Sequence, residues 1–157
     1  MSDAKASGSG PLELLVVILK GQEFGIRTHA IREIRGWTPV TPMPRAPAEM
    51  LGISNLRGTA IPIIDLSVKL GMPAVEVTER SAIVVAEING AIVGLLVDGV
   101  SGMMSVPADA LQPVPAATSV YARYADGIIP TETALICFLN LSQLFEGNGE
   151  DYMAAAA

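Results

Sequence analysis

Leu51-Gly52-Ile53-Ser54-Asn55-Leu56-Arg57-Gly58-Thr59-Ala60-Ile61-Pro62-Ile63-Ile64-Asp65-Leu66 decides the fold class of this chain. A polar Asn-Leu-Arg-Gly turn joins two apolar, β-branched runs. Gly58 takes the positive φ of a tight turn without the steric cost that other residues meet. Ile61 to Ile64 reads as a strand, and Pro62, which donates no ladder hydrogen bond, directs that strand toward a sheet edge. An arginine is therefore held on a turn between two strands, with no catalytic group near it in sequence. Such a turn is a recognition surface.

Working outward, short strands and turns continue in both directions. Residues 1–11 read as a flexible Ser/Gly-rich tail, residues 12–146 as the folded domain and residues 147–157 as a second flexible tail. Leu12 to Lys20 and Glu23 to Arg27 form a hairpin around Gly21-Gln22. Thr28 to Glu33 is expected to make a short helical turn with Thr28 as its cap. Four prolines between Pro39 and Pro47 demand a stiff, extended loop. Leu66 to Leu70 is a short helix that stops at Gly71, and Pro73 to Glu79 is a linker. Ser81 to Ile88 and Ala91 to Val97 flank Asn89-Gly90, the strongest short hairpin signal available. Met103 to Val106, Gly127 to Ile129 and Leu135 to Leu139 are further strands, and Leu141 to Phe145 is a closing helix.

The two halves resemble each other. An offset of 69 takes Gly21 to Gly90, Phe24-Gly25-Ile26 to Val93-Gly94-Leu95, and Ile31 to Val100. An offset of 75 takes Asp65-Leu66-Ser67 to Asn140-Leu141-Ser142 and Ile61 to Ile136. Both matches run in the same order, so two similar β units are expected. Short strands with Gly and Pro turns suit small barrels, which remove sheet edges by closing.

Composition bounds what the chain can do. Half of its 157 residues are apolar and the net charge is −6. Its ten Lys and Arg are scattered, whereas binding to a duplex needs them clustered against phosphates. Nucleic acid is therefore not an expected partner. The apolar runs Leu14 to Leu19, Ala91 to Val97 and Ala134 to Leu139 fall far short of the roughly 20 residues that span a bilayer, so no membrane insertion is expected. The high apolar content fits either a dense Val/Ile core or apolar surface kept for protein partners.

The chemistry of catalysis is missing from the pattern. His29, the single histidine, sits on a turn, and Cys137, the single cysteine, sits inside a strand as a small core residue. Nucleophilic catalysis needs a nucleophile, a base and an orienting group. One His and one Cys do not make a metal site. A lone cysteine forms no internal disulfide, which fits a reducing cytosol. Gly21, Gly25, Gly90 and Gly94 match no phosphate loop. Glu23, Glu33, Asp65, Glu87 and Asp98 offer no selected carboxylate pair. No enzyme activity, cofactor or metal is expected.

Five segments together carry a resemblance: Gln22-Glu23-Phe24-Gly25-Ile26, Ile31-Arg32-Glu33-Ile34, Pro44-Arg45-Ala46-Pro47, Gly52 to Gly58 and Pro62-Ile63-Ile64-Asp65-Leu66. Val97-Asp98-Gly99-Val100 and Leu111-Gln112-Pro113-Val114-Pro115 extend it into the second half. The sequence resembles the CheW family of bacterial chemotaxis coupling proteins, from about Leu12 to Phe145. The resemblance implies a mainly β fold of two intertwined five-stranded SH3-like barrels with short helices, one of them at the C-terminus. It implies a cytoplasmic, non-enzymatic adaptor at membrane-associated receptor arrays. The implied partners are the CheW-like regulatory domain of the histidine kinase CheA and the cytoplasmic tip of methyl-accepting chemoreceptors.

By the same resemblance, Ile31, Glu33, Gly52 and Arg57 fall at positions associated with receptor coupling, and Asn55 shares their turn. Glu33 and Arg57 are expected to form an ion pair. A receptor helix needs an aliphatic groove with polar guides, and Ile31, Ile34, Val97 and Val100 are its candidate walls. Gly58, Ala60 and Pro62 are candidates for the kinase contact. The stretch Ile128 to Ala134, with Pro130 and few charges, departs from the family pattern, as does Cys137-Phe138, and both leave the pairing of the last strands open. Neither tail resembles a receiver or kinase domain. Two other readings stay open: a coupler for a non-flagellar system such as twitching motility, and a ligand-binding β-barrel.

Overall fold

The computed structural model describes residues 10–115, 124–146 and Tyr152. The strands are β1 (Leu12–Leu19), β2 (Gln22–Arg27), β3 (Ile31–Gly36), β4 (Met50–Leu56), β5 (Thr59–Asp65), β6 (Ala82–Ile88), β7 (Ala91–Val97), β8 (Gly99–Val106), β9 (Ala125–Pro130) and β10 (Leu135–Leu139). Two single-turn helices, α1 (Leu66–Lys69) and α2 (Leu141–Leu144), follow β5 and β10. No helix among the described residues is long and apolar enough to cross a membrane. Thr28–Ala30 makes one 3-10 turn without a side-chain cap, and the chain from Ile31 is strand rather than helix. The β-branched Ile31 and Ile34 favour that outcome.

The ten strands form two five-stranded sheets, ordered β8-β1-β2-β10-β9 and β3-β6-β7-β5-β4. Both follow one plan. A tight hairpin (β1–β2 or β6–β7) lies at the centre. A strand parallel to its second member follows on one side, with an antiparallel neighbour beyond it. The remaining strand, β8 or β3, lies outside the hairpin's first member. The two sequence offsets survive to the rung: Phe138 faces Gly25, and Ile63 faces Gly94. The two units are intertwined because each central hairpin comes from the opposite half of the chain. The β1–β2 hairpin completes a sheet made otherwise of β8, β9 and β10, whereas β6–β7 completes one made of β3, β4 and β5.

Each sheet curls until its edges are bridged. The chain leaving β3 returns to the opposite edge, where Thr41 and Ile53 exchange backbone hydrogen bonds of 2.8 and 2.9 Å. After β8, Gln112 and Ile128 do the same, both at 2.8 Å. Gly52 lies beneath the first bridge at φ +152°, and a Cβ there would sit 2.3 Å from the Thr41 carbonyl oxygen. Gly127 is its counterpart, with the Gln112 oxygen 2.5 Å from a would-be Cβ.

β5 lies between β7 and β4, so Pro62 is inside the sheet and buried, not on the expected edge. The reason is register. Ile53, opposite Pro62, turns its backbone N–H and C=O to Thr41, and the parallel ladder to β7 begins only at Ile63. No partner at that rung requires the proline's missing N–H.

One apolar cluster is shared by both sheets and includes Leu15, Phe24, Ile63, Ile83, Leu95 and Leu139. Each such side chain withdrawn from water contributes about 1.5–3 kcal/mol. The helices are capped alike: the Asp65 carboxylate accepts from the Val68 N–H at 3.1 Å, and the Asn140 side-chain oxygen accepts from the Gln143 N–H at 2.9 Å. Asp65 also accepts from the Val75 N–H at 2.9 Å, which ties down the linker that follows. Within the segment expected to be a C-terminal tail, Tyr152 is buried, stacks edge-on against Phe145 and donates to Glu49 at 2.8 Å.

Candidate functional site

The β4–β5 turn is built as a two-residue hairpin with positive φ at both central positions, Arg57 (+57°) and Gly58 (+85°). That is the mirror-image turn whose twist matches paired strands. Lys20-Gly21 and Asn89-Gly90 adopt the same geometry. The Asn55 side-chain oxygen accepts from the Gly58 N–H at 2.7 Å and fixes the turn. Arginine is an unusual residue for positive φ. Its side chain here is aimed outward: the guanidinium is 80% exposed, yet one nitrogen reaches Glu33 at 2.8 Å.

The ion pair spans the sheet, because Glu33 is on β3 and Arg57 joins β4 to β5, at opposite edges. The expected Glu33–Arg57 pair is therefore present. It is not isolated. The second Glu33 oxygen binds Arg35 at 3.1 Å. One carboxylate is shared by two guanidinium groups, leaving a local excess of one positive charge on a chain of net −6. An exposed pair contributes only about 0–1 kcal/mol to stability, so the cluster sets shape and charge more than it holds the fold.

The other candidates scatter more widely. Ile31 is half-buried and packs against the shared core, while Ile34 is exposed. Val97 is fully buried. Val100 is the second residue of β8, in the other sheet, and lines a groove with Ile18, Lys20, Thr78, Arg80 and Asp98. Gly52 is buried under Thr41. Gly58 is exposed on the turn, Ala60 is exposed on β5 and Pro62 is buried. Glu33, Asn55, Arg57, Gly58 and Ala60 are thus gathered at one corner, with Ile34 next to Glu33 in sequence. Arg35, the second partner of Glu33, was missed. Its signal was the spacing of two from Glu33, which puts both on one face of a strand.

A second groove lies between Arg27, His29, Glu87, Asn89, Asp126 and Asn140. Its charges are already paired: Arg27 with Asp126 at 3.6 Å, and Glu87 with Arg32. Among the described residues, no group of His, Cys, Asp and Glu could hold a metal. Cys137 is buried in β10, and desolvation raises its thiol pKa from 9.0 to about 11, so the thiolate nucleophile is not available near neutral pH.

The CheW-like domain family matches residues 13–148. A chemotaxis protein CheW from Rhizobium meliloti (strain 1021) is 46% identical over 143 residues, covering 90% of this chain and 92% of the relative. A chemotaxis protein CheW from Klebsiella aerogenes is 32% identical over 133 residues, covering 84% of this chain and 80% of that protein. The crystal structure of the scaffolding protein TtCheW from Thermoanaerobacter tengcongensis superimposes with a TM-score of 0.80 at 31% identity, covering 88% of this chain and 90% of that one. With a family match over most of its length, near-full-length relatives and the same two-sheet architecture behind it, the chain belongs to the CheW family.

Proposed function

We propose that this protein is a non-enzymatic cytoplasmic adaptor that couples methyl-accepting chemoreceptors to the regulatory domain of the histidine kinase CheA. The observation that carries the proposal is the Glu33–Arg57 pair, which ties the exposed β4–β5 turn to β3 at the opposite edge of its sheet. A receptor's cytoplasmic hairpin offers a helix to such a site, with Ile31, Ile34 and Val100 as candidate apolar neighbours and Asn55 and Arg57 as guides. Val97 and Gly52 support the site from within. Gly58, exposed on the turn, Ala60, exposed on β5, and the buried Pro62 that stiffens that strand are proposed to serve the kinase contact. The already paired charges and unreactive thiol support an adaptor over a catalyst.

Co-sedimentation of the full chain with receptor and kinase fragments tests the reading. Binding to both, with receptor-dependent kinase activation, is the expected result. Binding to neither overturns it, as does a well-folded Arg57→Ala variant that retains receptor binding and kinase activation in full.

A further inference from the structure

Trp37 is 38% exposed in a chain whose other large apolar side chains are mostly buried. Its position follows from register. Thr41 pairs antiparallel with Ile53, and the Ser54 hydroxyl donates to the Pro39 carbonyl at 2.8 Å. Continued along the chain, this pairing sets Pro39 opposite Asn55 and Trp37 opposite Arg57. Trp37 also follows Glu33 and Arg35 at strand spacing. By that register one corner of the sheet gathers the only tryptophan, the shared carboxylate of Glu33 and the guanidinium groups of Arg35 and Arg57, while exposed Ile34 lies on the opposite face of β3.

The internal repeat supplies a control. The same fold in the other sheet places Gly102 at the position of Glu33, Met104 at that of Arg35 and Glu132 at that of Arg57. The rungs match one for one: Glu33 and Arg35 face Val85 and Ile83, while Gly102 and Met104 face Val16 and Leu14. The fold is thus made without tryptophan, ion pair or local positive charge at this corner. The architecture therefore does not require them.

We propose that Trp37 is the apolar anchor of the receptor-docking corner and that Arg35 and Arg57 select a helix carrying a carboxylate beside the apolar residue that covers the indole. Charge complementarity argues for this occupant: the corner is locally positive and attracts a carboxylate, whereas two such corners set face to face repel each other. Tryptophan and arginine are also the residues that most often dominate binding energy at interfaces. The inference rests on the receptor-coupling reading and adds to it the anchor and the chemistry of the partner.

The test titrates the full chain with a tryptophan-free fragment of a receptor's cytoplasmic hairpin, using Trp37 emission and sedimentation as separate readouts. Expected are a saturable blue shift, a loss of affinity of about tenfold or more in Trp37→Ala, recovery of most of it in Trp37→Phe, and weaker salt dependence in Arg35→Gln. Binding to a kinase regulatory-domain fragment stays unchanged in all three variants, which verifies their fold. Receptor binding by sedimentation with unchanged emission and a Trp37→Ala affinity equal to wild type overturns the anchor while leaving the coupling reading intact. Failure of the wild-type chain to bind the receptor fragment removes the coupling reading, and the anchor with it.

Discussion

Arg57 and Gly52 show how single residues divide between geometry and contact. Arg57 has φ +57°, which costs a side-chain-bearing residue roughly 1–2 kcal/mol. Arg57→Gly is therefore expected to raise stability by about 1 kcal/mol in urea melts, although it removes the ion pair; Arg57→Ala keeps the strain and gains nothing. Gly52→Ala meets the Thr41 carbonyl, and Gly127→Ala meets that of Gln112. Each is expected to cost about 2–4 kcal/mol, read as a large drop in Tm before any loss of partner affinity. Cys137 titrates at about 11 in the folded chain, up from 9.0. It should resist thiol reagents at pH 8 until the protein is unfolded. Its linkage has a definite sign: the neutral thiol is favoured in the fold, so this contribution is present below pH 9 and is lost as pH rises from 9 to 11. Of these features, the positive φ of Gly58 was legible because glycine is the usual residue there. That of Arg57 was not, since no propensity marks arginine for it, and Gly52 is explained only by a strand bridge to Thr41 that no local pattern encodes.

At the scale of elements, the strands, the Asn89-Gly90 hairpin and both short helices could be read from period-two alternation, turn residues and the Asp-Leu-Ser and Asn-Leu-Ser repeats. The helices are too short to persist on propensity and depend on their caps. Asp65→Ala removes acceptors for Val68 and Val75 from a buried site, and a loss of about 2–3 kcal/mol is expected. Asn140→Ala removes one and should cost about 1 kcal/mol. Guanidinium denaturation of the two variants decides the ranking. Pro62 marks where local reading stopped. Proline implied a sheet edge, but the edge bond it would have broken is already absent, because β7 begins its ladder one residue later. The Glu33–Arg57 pair was legible only through family resemblance; 23 residues of intervening chain hide it from any local rule.

At the scale of the whole molecule, the exchange of hairpins between halves was the least legible feature. The repeat announced two units, but which half completes which sheet depends on long-range pairing that a sequence offset does not state. Since neither half contains a complete sheet, unfolding should be a single cooperative transition by calorimetry. Residues 12–81 and 82–146 should fold only when mixed; independent folding of either fragment by circular dichroism would contradict the pairing. The exchange also has a consequence for the origin of the chain. A lone repeat of this design leaves its hairpin without a sheet and its sheet without a hairpin, and a second identical copy satisfies both. The present chain has the form of such a homodimer with its subunits joined end to end through residues 70–81. Within one chain the two copies need not be alike, and one corner carries arginine where its twin carries methionine.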